Sequence, residues 1–415
     1  MEKNNGQKEE ISPQKKESSL WVVDVQEGVH KNEKMGDTVF HKAENYLSKY
    51  YDIRTNVISL ETEISERGKN KWVPCNENDL FIELQKNEIK LSMANLLAIL
   101  KSNYSVDYNP LLEYFKELTS WDETTDYIAQ YANYVQLAPE ESREQFNYHF
   151  KKWLVRAVKC ATIDGYFNKQ AFVLTDDGKG QNIGKSSWCR FLCPPSLSKY
   201  IAEDIGNNDK DSRLLICKNL LINLDELAVL SRKEINQLKA MFSKDQVNDR
   251  LPYDRKNSII QRVASFIGST NKSTFLQDET GSVRWLCFVV EGIDWNYSKE
   301  FSIDDLWAQA YALSQDSSFD ETMTPEDIAQ NELRNNKFQD LSQEAELLQK
   351  MFRVPVNVEV AEFMQATEVI HEINKIFPGF KLNKMMMGRA LVGAGYERVK
   401  RKGRYGYLLV KHFDL

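Results

Sequence analysis

The chain has no run of 18 apolar residues, so no transmembrane helix is expected. Its opening stretch, MEKNNGQKEEISPQKKESS, lacks the apolar segment of a secretory signal, and residues 1–20 read as a polar, disordered tail. Cysteine is sparse. Cys75, Cys160, Cys189, Cys193, Cys217 and Cys287 show no zinc-knuckle spacing. Cys189 and Cys193 share one helical face, where core packing is the expectation and a metal site the alternative. This usage points to a reducing cytoplasm. The five histidines are isolated and are assigned no chemistry. Positive charge is not in excess: 54 Lys and Arg stand against 61 Asp and Glu, a net charge of −7. A protein that coats nucleic acid through its overall charge is excluded, and any basic surface must be local. Apolar residues make up 42% and charged residues 28%, as in ordinary globular chains, and 415 residues imply two or three domains.

What is present begins with DDGKGQNIGKSSWCRF, Asp176 to Phe191. Ala171 to Leu174 is a short apolar run with strand character. Gly178, Gly180 and Gly184 lie in the following loop, and Lys185 and Ser186 open a helical segment that Pro194-Pro195 ends. A strand, a glycine-rich loop and a helix in that order form a phosphate cradle, with Gly180, Asn182, Ile183, Gly184, Lys185, Ser186 and Ser187 as contacts. Lysine would reach the β- and γ-oxygens of ATP, and the Ser186 hydroxyl would hold Mg²⁺. The usual spacing puts the first glycine at position 179, which is lysine here, so the loop is longer by one residue or shaped differently. An ordinary turn into a helix is the alternative.

Two further elements follow in the expected order. Leu220 to Leu224 reads as an apolar strand running into Asp225-Glu226, 40 residues after Lys185. Asp225 is suited to hold Mg²⁺ through water and Glu226 to polarise the attacking water. Val263 to Ile267 reads as another strand, ending at Gly268-Ser269-Thr270-Asn271. Asn271 is placed to reach the γ-phosphate or orient that water, the alternative being an asparagine in a turn. Arg284 opens a further strand and is the candidate arginine finger, with Arg250, Arg255 and Arg262 as competitors.

The order GQNIGKSS, INLDEL, DRLPYDRKNSIIQRVASFIGSTN, LQDETGSVRW resembles the virulence-associated protein E family. Upstream, YNPLLEYFKELTSWDETTDYI and HFKKWLVRAVKCA resemble the region that precedes its ATPase. The resemblance spans about residues 40–295. It implies a superfamily 3-type helicase of phages and mobile elements, related to the helicase part of poxvirus-type helicase-primases. Such proteins are rings, commonly hexameric, that drive single-stranded DNA through a pore with ATP and Mg²⁺. It further implies that FSKDQVNDRLPYDRK holds a DNA-contacting hairpin, with Lys244, Arg250, Tyr253, Arg255 and Lys256 as contacts. A solvated surface loop is the alternative there. Residues 1–145 show no acidic metal constellation, so primer synthesis is not assigned, and a primase is expected only as a separate partner.

The expected architecture is an α/β, AAA+-like P-loop core between a mixed helical N-terminal region and a winged-helix-like C-terminal domain. RTNVISLETEI from Arg54 reads as one strand. ENDLFIELQKN and SMANLLAILKSNY read as helices, and His149 to Cys160 as an amphipathic helix. Residues 21–145 form an accessory or oligomerisation region, 146–312 the core, 313–349 a solvated acidic connector and 350–415 the DNA-binding domain. Residues 316–346 hold nine acidic and two basic residues, and Thr324-Pro325 starts a helix within them. Residues 381–412 hold nine Lys and Arg against Glu397 alone, in a helix–helix–hairpin pattern turning near Lys402-Gly403. Lys400, Arg401, Lys402 and Arg404 are its candidate DNA contacts, a basic solvated face being the alternative, and Met385 to Met387 are read as core filler. The expected function is an ATP-dependent helicase or translocase acting on single-stranded or forked DNA. A loader or defence motor without unwinding, or a nucleotide-switched regulator, are the alternatives.

Overall fold

The computed structural model describes residues 38–412 except 177, 179–181, 204, 206–208, 226, 228–231, 251–255, 273, 277–282, 340–341 and 356–360. The expected N-terminal tail therefore lies outside the described residues.

The first module packs α1 (Val39–Tyr50), α2 (Glu77–Lys86) and α3 (Met93–Leu100) on a sheet. Its strands are β1 (Tyr51–Asn56), β2 (Glu61–Glu66), β3 (Val73–Pro74) and β4 (Val106–Tyr108), in the order β3-β2-β1-β4. Leu47, Ile53, Leu80, Leu84, Leu96 and Leu100 form its core. The segment expected as one strand from Arg54 is a hairpin, because a turn with Leu60 at φ 66° divides it. The module is tied to the centre of the molecule by polar contacts. Asn56 donates to the Tyr200 hydroxyl at 2.8 Å, and buried Glu63 pairs with Arg54 at 2.7 Å and Lys199 at 3.2 Å.

The central unit contains α4 (Pro110–Glu117), α5 (Tyr127–Asn133), β5 (Val135–Leu137), α6 (Arg143–Thr162), β6 (Ala171–Thr175), α7 (Lys185–Phe191), β7 (Ile201–Ala202), α8 (Asp209–Lys218) and β8 (Leu221–Leu224). It continues with α9 (Arg232–Phe242), a hairpin of β9 (Gln246–Asp249) and β10 (Ser258–Gln261), then β11 (Ser265–Thr270), β12 (Trp285–Ile293), α10 (Tyr297–Glu300), α11 (Ile303–Gln315) and α12 (Pro325–Asn335). Six strands form one sheet in the order β5-β12-β6-β11-β8-β7, parallel except for β5. Both faces are covered, as a parallel sheet requires. Alternation along β6 sends Phe172 and Leu174 into a core with α6 and α11, and Ala171 and Val173 into a second core with Leu238, Phe242 and Trp285.

Three expectations are corrected here. Core packing begins before residue 146, since β5 is an edge strand of this sheet and α5 packs on α6. Helix α6 is not amphipathic: Phe150, Trp153, Leu154, Val155, Arg156 and Val158 are all buried, so the sheet lies on one side and other helices on the rest. The acidic connector is only partly solvated: Asp316, Asp320 and Glu326 are exposed, but Glu321 and Asp327 are buried. Asn331 and Asn335 each donate to the Trp285 carbonyl, at 2.9 and 2.7 Å, and Phe338 is in the core. Its charge answers cations on α6, with Glu321 2.7 Å from Lys159 and Asp327 3.4 Å from Lys152. The helix starting at Thr324 forms as expected, with Asp327 completing a capping box.

The last unit begins with α13 (Gln343–Met351), whose Leu347, Leu348 and Met351 belong to its core, so it starts ahead of residue 350. It continues through β13 (Phe352–Arg353), β14 (Glu362–Met364), α14 (Ala366–Ile376), α15 (Lys384–Gly393), β15 (Arg398–Arg401) and β16 (Arg404–Lys411). β16 pairs antiparallel with the other three strands. Of the three methionines, Met387 is buried but Met385 is 65% exposed, which corrects the core-filler reading for Met385. Among the described residues no helix is long and apolar enough to cross a membrane.

His149 on α6 is fully buried, and neither ring nitrogen has a hydrogen-bond partner. Burial, reinforced by the Arg334 charge, lowers its pKa from 6.5 to about 4. Between those values the unfolded chain binds the proton more readily. Stability is therefore complete above pH 6.5 and declines as pH falls towards 4, by up to about 1.4 kcal/mol per unit. Replacing His149 by Leu should flatten the loss between pH 7 and pH 5, read from urea midpoints. Identical losses in the two proteins would show that His149 does not carry it.

Candidate nucleotide site

Three parallel strands bring their C-terminal ends to one edge of the central sheet. The register places Leu174 opposite Ser269, and Gly268 opposite Leu224, so the residues that follow the strands are neighbours in space. β6 leads to Asp176 and the glycine-rich loop, β8 to Asp225, and β11 to Asn271. The loop re-enters a helix at Lys185. Gly184 stands immediately before it in the left-handed region, at φ 96°, and Asn182 also has a positive φ of 63°. Gly184 has a second constraint: a Cβ there would lie 2.6 Å from Cζ2 of Trp295.

The side chains converge on a cavity of about 280 Å³ lined by Asn182, Ile183, Gly184, Lys185, Ser186, Ser187, Asp225, Ser269, Thr270 and Asn271. Lys185 is buried, and its Nζ donates to Asp176 Oδ2 at 2.7 Å and Asn271 Oδ1 at 2.8 Å. Asp176 Oδ1 accepts from the Gly178 backbone N–H at 3.0 Å, so one carboxylate holds both the loop and the lysine. Beside them, Ser186 Oγ donates to Asp225 Oδ1 at 2.6 Å, Ser269 Oγ does so at 2.9 Å, and the two hydroxyls are 2.9 Å apart. A cation between oxygen acceptors next to a carboxylate and two hydroxyls can take an anionic group and a hard divalent ion together.

Lys185, Ser186, Asp225 and Asn271 are thus gathered at one point, with Asn182, Ile183, Gly184 and Ser187 along the same wall. Gly180 and Glu226 lie outside the described residues. The sequence reading missed Asp176 and Ser269. Their signals were position alone: Asp176 is the first residue after the strand, and Ser269 is two before Asn271, hence on its side of β11. Cys189 is buried, its Sγ 3.7 Å from the Gly268 carbonyl. Among the described residues no three His, Cys, Asp or Glu are grouped to hold a metal.

A model of the virulence-associated protein E-like domain matches residues 115–340, more than half of the sequence. The chain belongs to that family. No curated protein matches this virulence-associated protein E-like chain. Among solved structures, it is similar to the apo structure of the NrS-1 C terminal region (305-718), with a TM-score of 0.50 and 12% identity, over 91% of this chain and 100% of that one. Two more structures of that region align at TM-scores of 0.47 and 0.46, both at 12% identity, over 90% and 89% of this chain and 99% and 98% of theirs.

The remaining candidates lie elsewhere on this virulence-associated protein E-like fold. Arg284 precedes β12, which runs parallel to β6, so it stands at the opposite edge of the sheet from Lys185, about 15 Å away along the strand. Its Nη2 is 3.4 Å from Ser243 Oγ. Arg262 is removed as a competitor: it is buried and donates to the carbonyls of Met241, Phe242, Lys244, Ala264 and Asn168. Lys244 is half-buried after α9, Arg250 and Lys256 are exposed at the ends of the β9–β10 hairpin, and Tyr253 and Arg255 lie outside the described residues. Lys400, Arg401, Lys402 and Arg404 are exposed on the β15–β16 hairpin.

Gly184→Ala meets both a left-handed backbone and the Trp295 ring. It should lower stability by at least about 1–2 kcal/mol from the backbone alone. Adding Trp295→Ala should recover the steric part and leave the backbone part, as read from denaturation midpoints. A Gly184→Ala protein as stable as the wild type would show that the loop is not held in this shape.

Proposed function

We propose that this chain is the ATP-driven motor of a phage or mobile genetic element, a ring-forming ATPase that moves on single-stranded or forked DNA during replication. The observation that carries the reading is the convergence of Lys185, Ser186, Asp225, Ser269 and Asn271 where β6, β8 and β11 end. The β12-β6-β11-β8-β7 order, with the glycine-rich loop following β6 between β12 and β11, supports an AAA+-like P-loop core. Family membership supports the mobile-element setting.

In this reading Lys185 exchanges a protein acceptor for a phosphate oxygen of ATP. Ser186 and Asp225, with Ser269, would hold Mg²⁺, because hydroxyl and carboxylate oxygens suit a hard ion that completes its shell from phosphates and water. The ion would neutralise charge developing on the transferred phosphoryl group. Asn271 orients the γ-phosphate or the attacking water, and Glu226, next to Asp225, polarises that water. Arg284 faces away from its own site, which favours a role at a neighbouring subunit's phosphate.

The C-terminal unit runs α13, β13, β14, α14, α15, β15, β16, and this order, leaving aside the two-residue β13, supports a winged-helix reading. Its β15–β16 hairpin is the wing, laying Lys400, Arg401, Lys402 and Arg404 along a DNA backbone. The β9–β10 hairpin supplies the pore contacts.

Lys185→Ala should abolish ATP hydrolysis while the fold survives. Arg284→Ala should be inactive for a different reason, so mixing the two inactive proteins should restore part of the ATPase through mixed interfaces. Full turnover by Lys185→Ala removes the ATP reading, and no rescue in proven co-assemblies removes the trans role of Arg284.

Neutralising Lys400, Arg401, Lys402 and Arg404 together should weaken DNA binding at low salt and flatten its salt dependence by about one counterion per lost contact. DNA-free ATPase should stay near wild type. Salt titrations of the two proteins decide this, and an unchanged slope would assign these cations to a solvated face.

A further inference from the structure

Trp295 is half-exposed, at 50%, in a turn that is otherwise fixed. The Asp294 N–H donates to the Tyr134 carbonyl at 2.8 Å, and Asp294 Oδ1 accepts from the Asn296 N–H at 3.0 Å. The Trp295 carbonyl accepts from the Ser298 hydroxyl at 3.0 Å. The indole itself sits beside Tyr297, ring centroids 6.3 Å apart and planes 23° from parallel. A large apolar ring is thus held in place by its backbone and its neighbour, yet left open to solvent. Such exposure costs hydrophobic free energy unless something covers the ring.

Its place in the fold says what covers it. β12 is parallel to β6, so the turn after β12 lies at the same sheet edge as the glycine-rich loop. The indole touches Gly184, which also lines the cavity holding Lys185. Asp225, Ser269 and Asn271 approach that cavity from β8 and β11, on one side of β6. Trp295 approaches from β12, on the other side. A nucleotide whose terminal phosphate lies between Lys185 and Asp225 therefore has its base directed towards β12.

We propose that Trp295 is the stacking platform for the nucleobase. This rests on the nucleotide reading of the Lys185 site and adds the base contact to it. Stacking reads the face of the base rather than its hydrogen-bonding edge, so the platform accepts any nucleoside triphosphate and holds purines better than pyrimidines, in proportion to ring area.

The test compares two probes, ATP and inorganic tripolyphosphate, which lacks base and ribose, on the full chain. Trp295→Ala should weaken ATP binding roughly 5- to 100-fold and leave tripolyphosphate binding as in wild type. Trp295→Phe, which keeps an aromatic face beside Gly184, should restore most of the ATP affinity. Equal weakening of both probes by Trp295→Ala would overturn the proposal and make Trp295 a prop for the loop, and unchanged ATP binding would overturn it by placing the base elsewhere. Wild-type protein that binds neither probe, or a Lys185→Ala protein that binds both normally, would instead remove the nucleotide reading beneath it.

Discussion

The parallel ladder joining β6 to β11 and β11 to β8 is the constraint on which the rest depends. It brings residues separated by up to 95 positions, Asp176, Asp225 and Asn271, to one edge of one sheet. The ladder is tight at Gly268, where a Cβ would lie 2.7 Å from the Leu224 carbonyl oxygen, so the β11–β8 contact is closed to any larger residue. Packing on both faces then removes the freedom to slip. A one-residue shift in register would send Phe172 and Leu174 into the wrong core and turn Asn271 away from Lys185.

Charge is arranged to fit that frame. Lys152, Arg156 and Lys159 all lie on α6, which is buried along most of its length. Buried cations are tolerated only when paired and hydrogen-bonded. The acidic segment after α11 supplies the partners: the Thr322 carbonyl and Asp327 for Lys152, the Glu321 carbonyl for Arg156 and the Glu321 carboxylate for Lys159. A stretch that looks solvated by composition is therefore the cover of the central unit.

The site follows the same rule on a smaller scale. The buried Lys185 ammonium is satisfied by Asp176 and Asn271, so any anion that reaches it must replace one of these acceptors. The loop and the lysine are thus held in order by the chain's own groups. The other candidate cations stand apart from it. Those of the β15–β16 hairpin belong to a unit with its own core, and Arg284 lies across the sheet.

Much of this was legible in the chain itself, because the signals are local. The apolar run Ala171–Leu174, the glycine-rich loop and Lys185-Ser186 define a strand, a turn and a helix within one stretch of backbone, and the Asp225 and Asn271 strand ends have the same local marks. The capping box at Thr324 and the basic hairpin turning at Lys402-Gly403 are local too. What only the tertiary structure decided is non-local. The turn at Leu60 that splits β1 from β2 depends on their antiparallel pairing with each other. The strand β5 counts as part of the central sheet only because β12 lies beside it. Asp176, Ser269 and Trp295 acquire their places from parallel register, which no spacing rule in the sequence expresses. The acidic segment misleads for the same reason: composition reports how many charges there are, whereas burial depends on which opposite charges the fold sets against them.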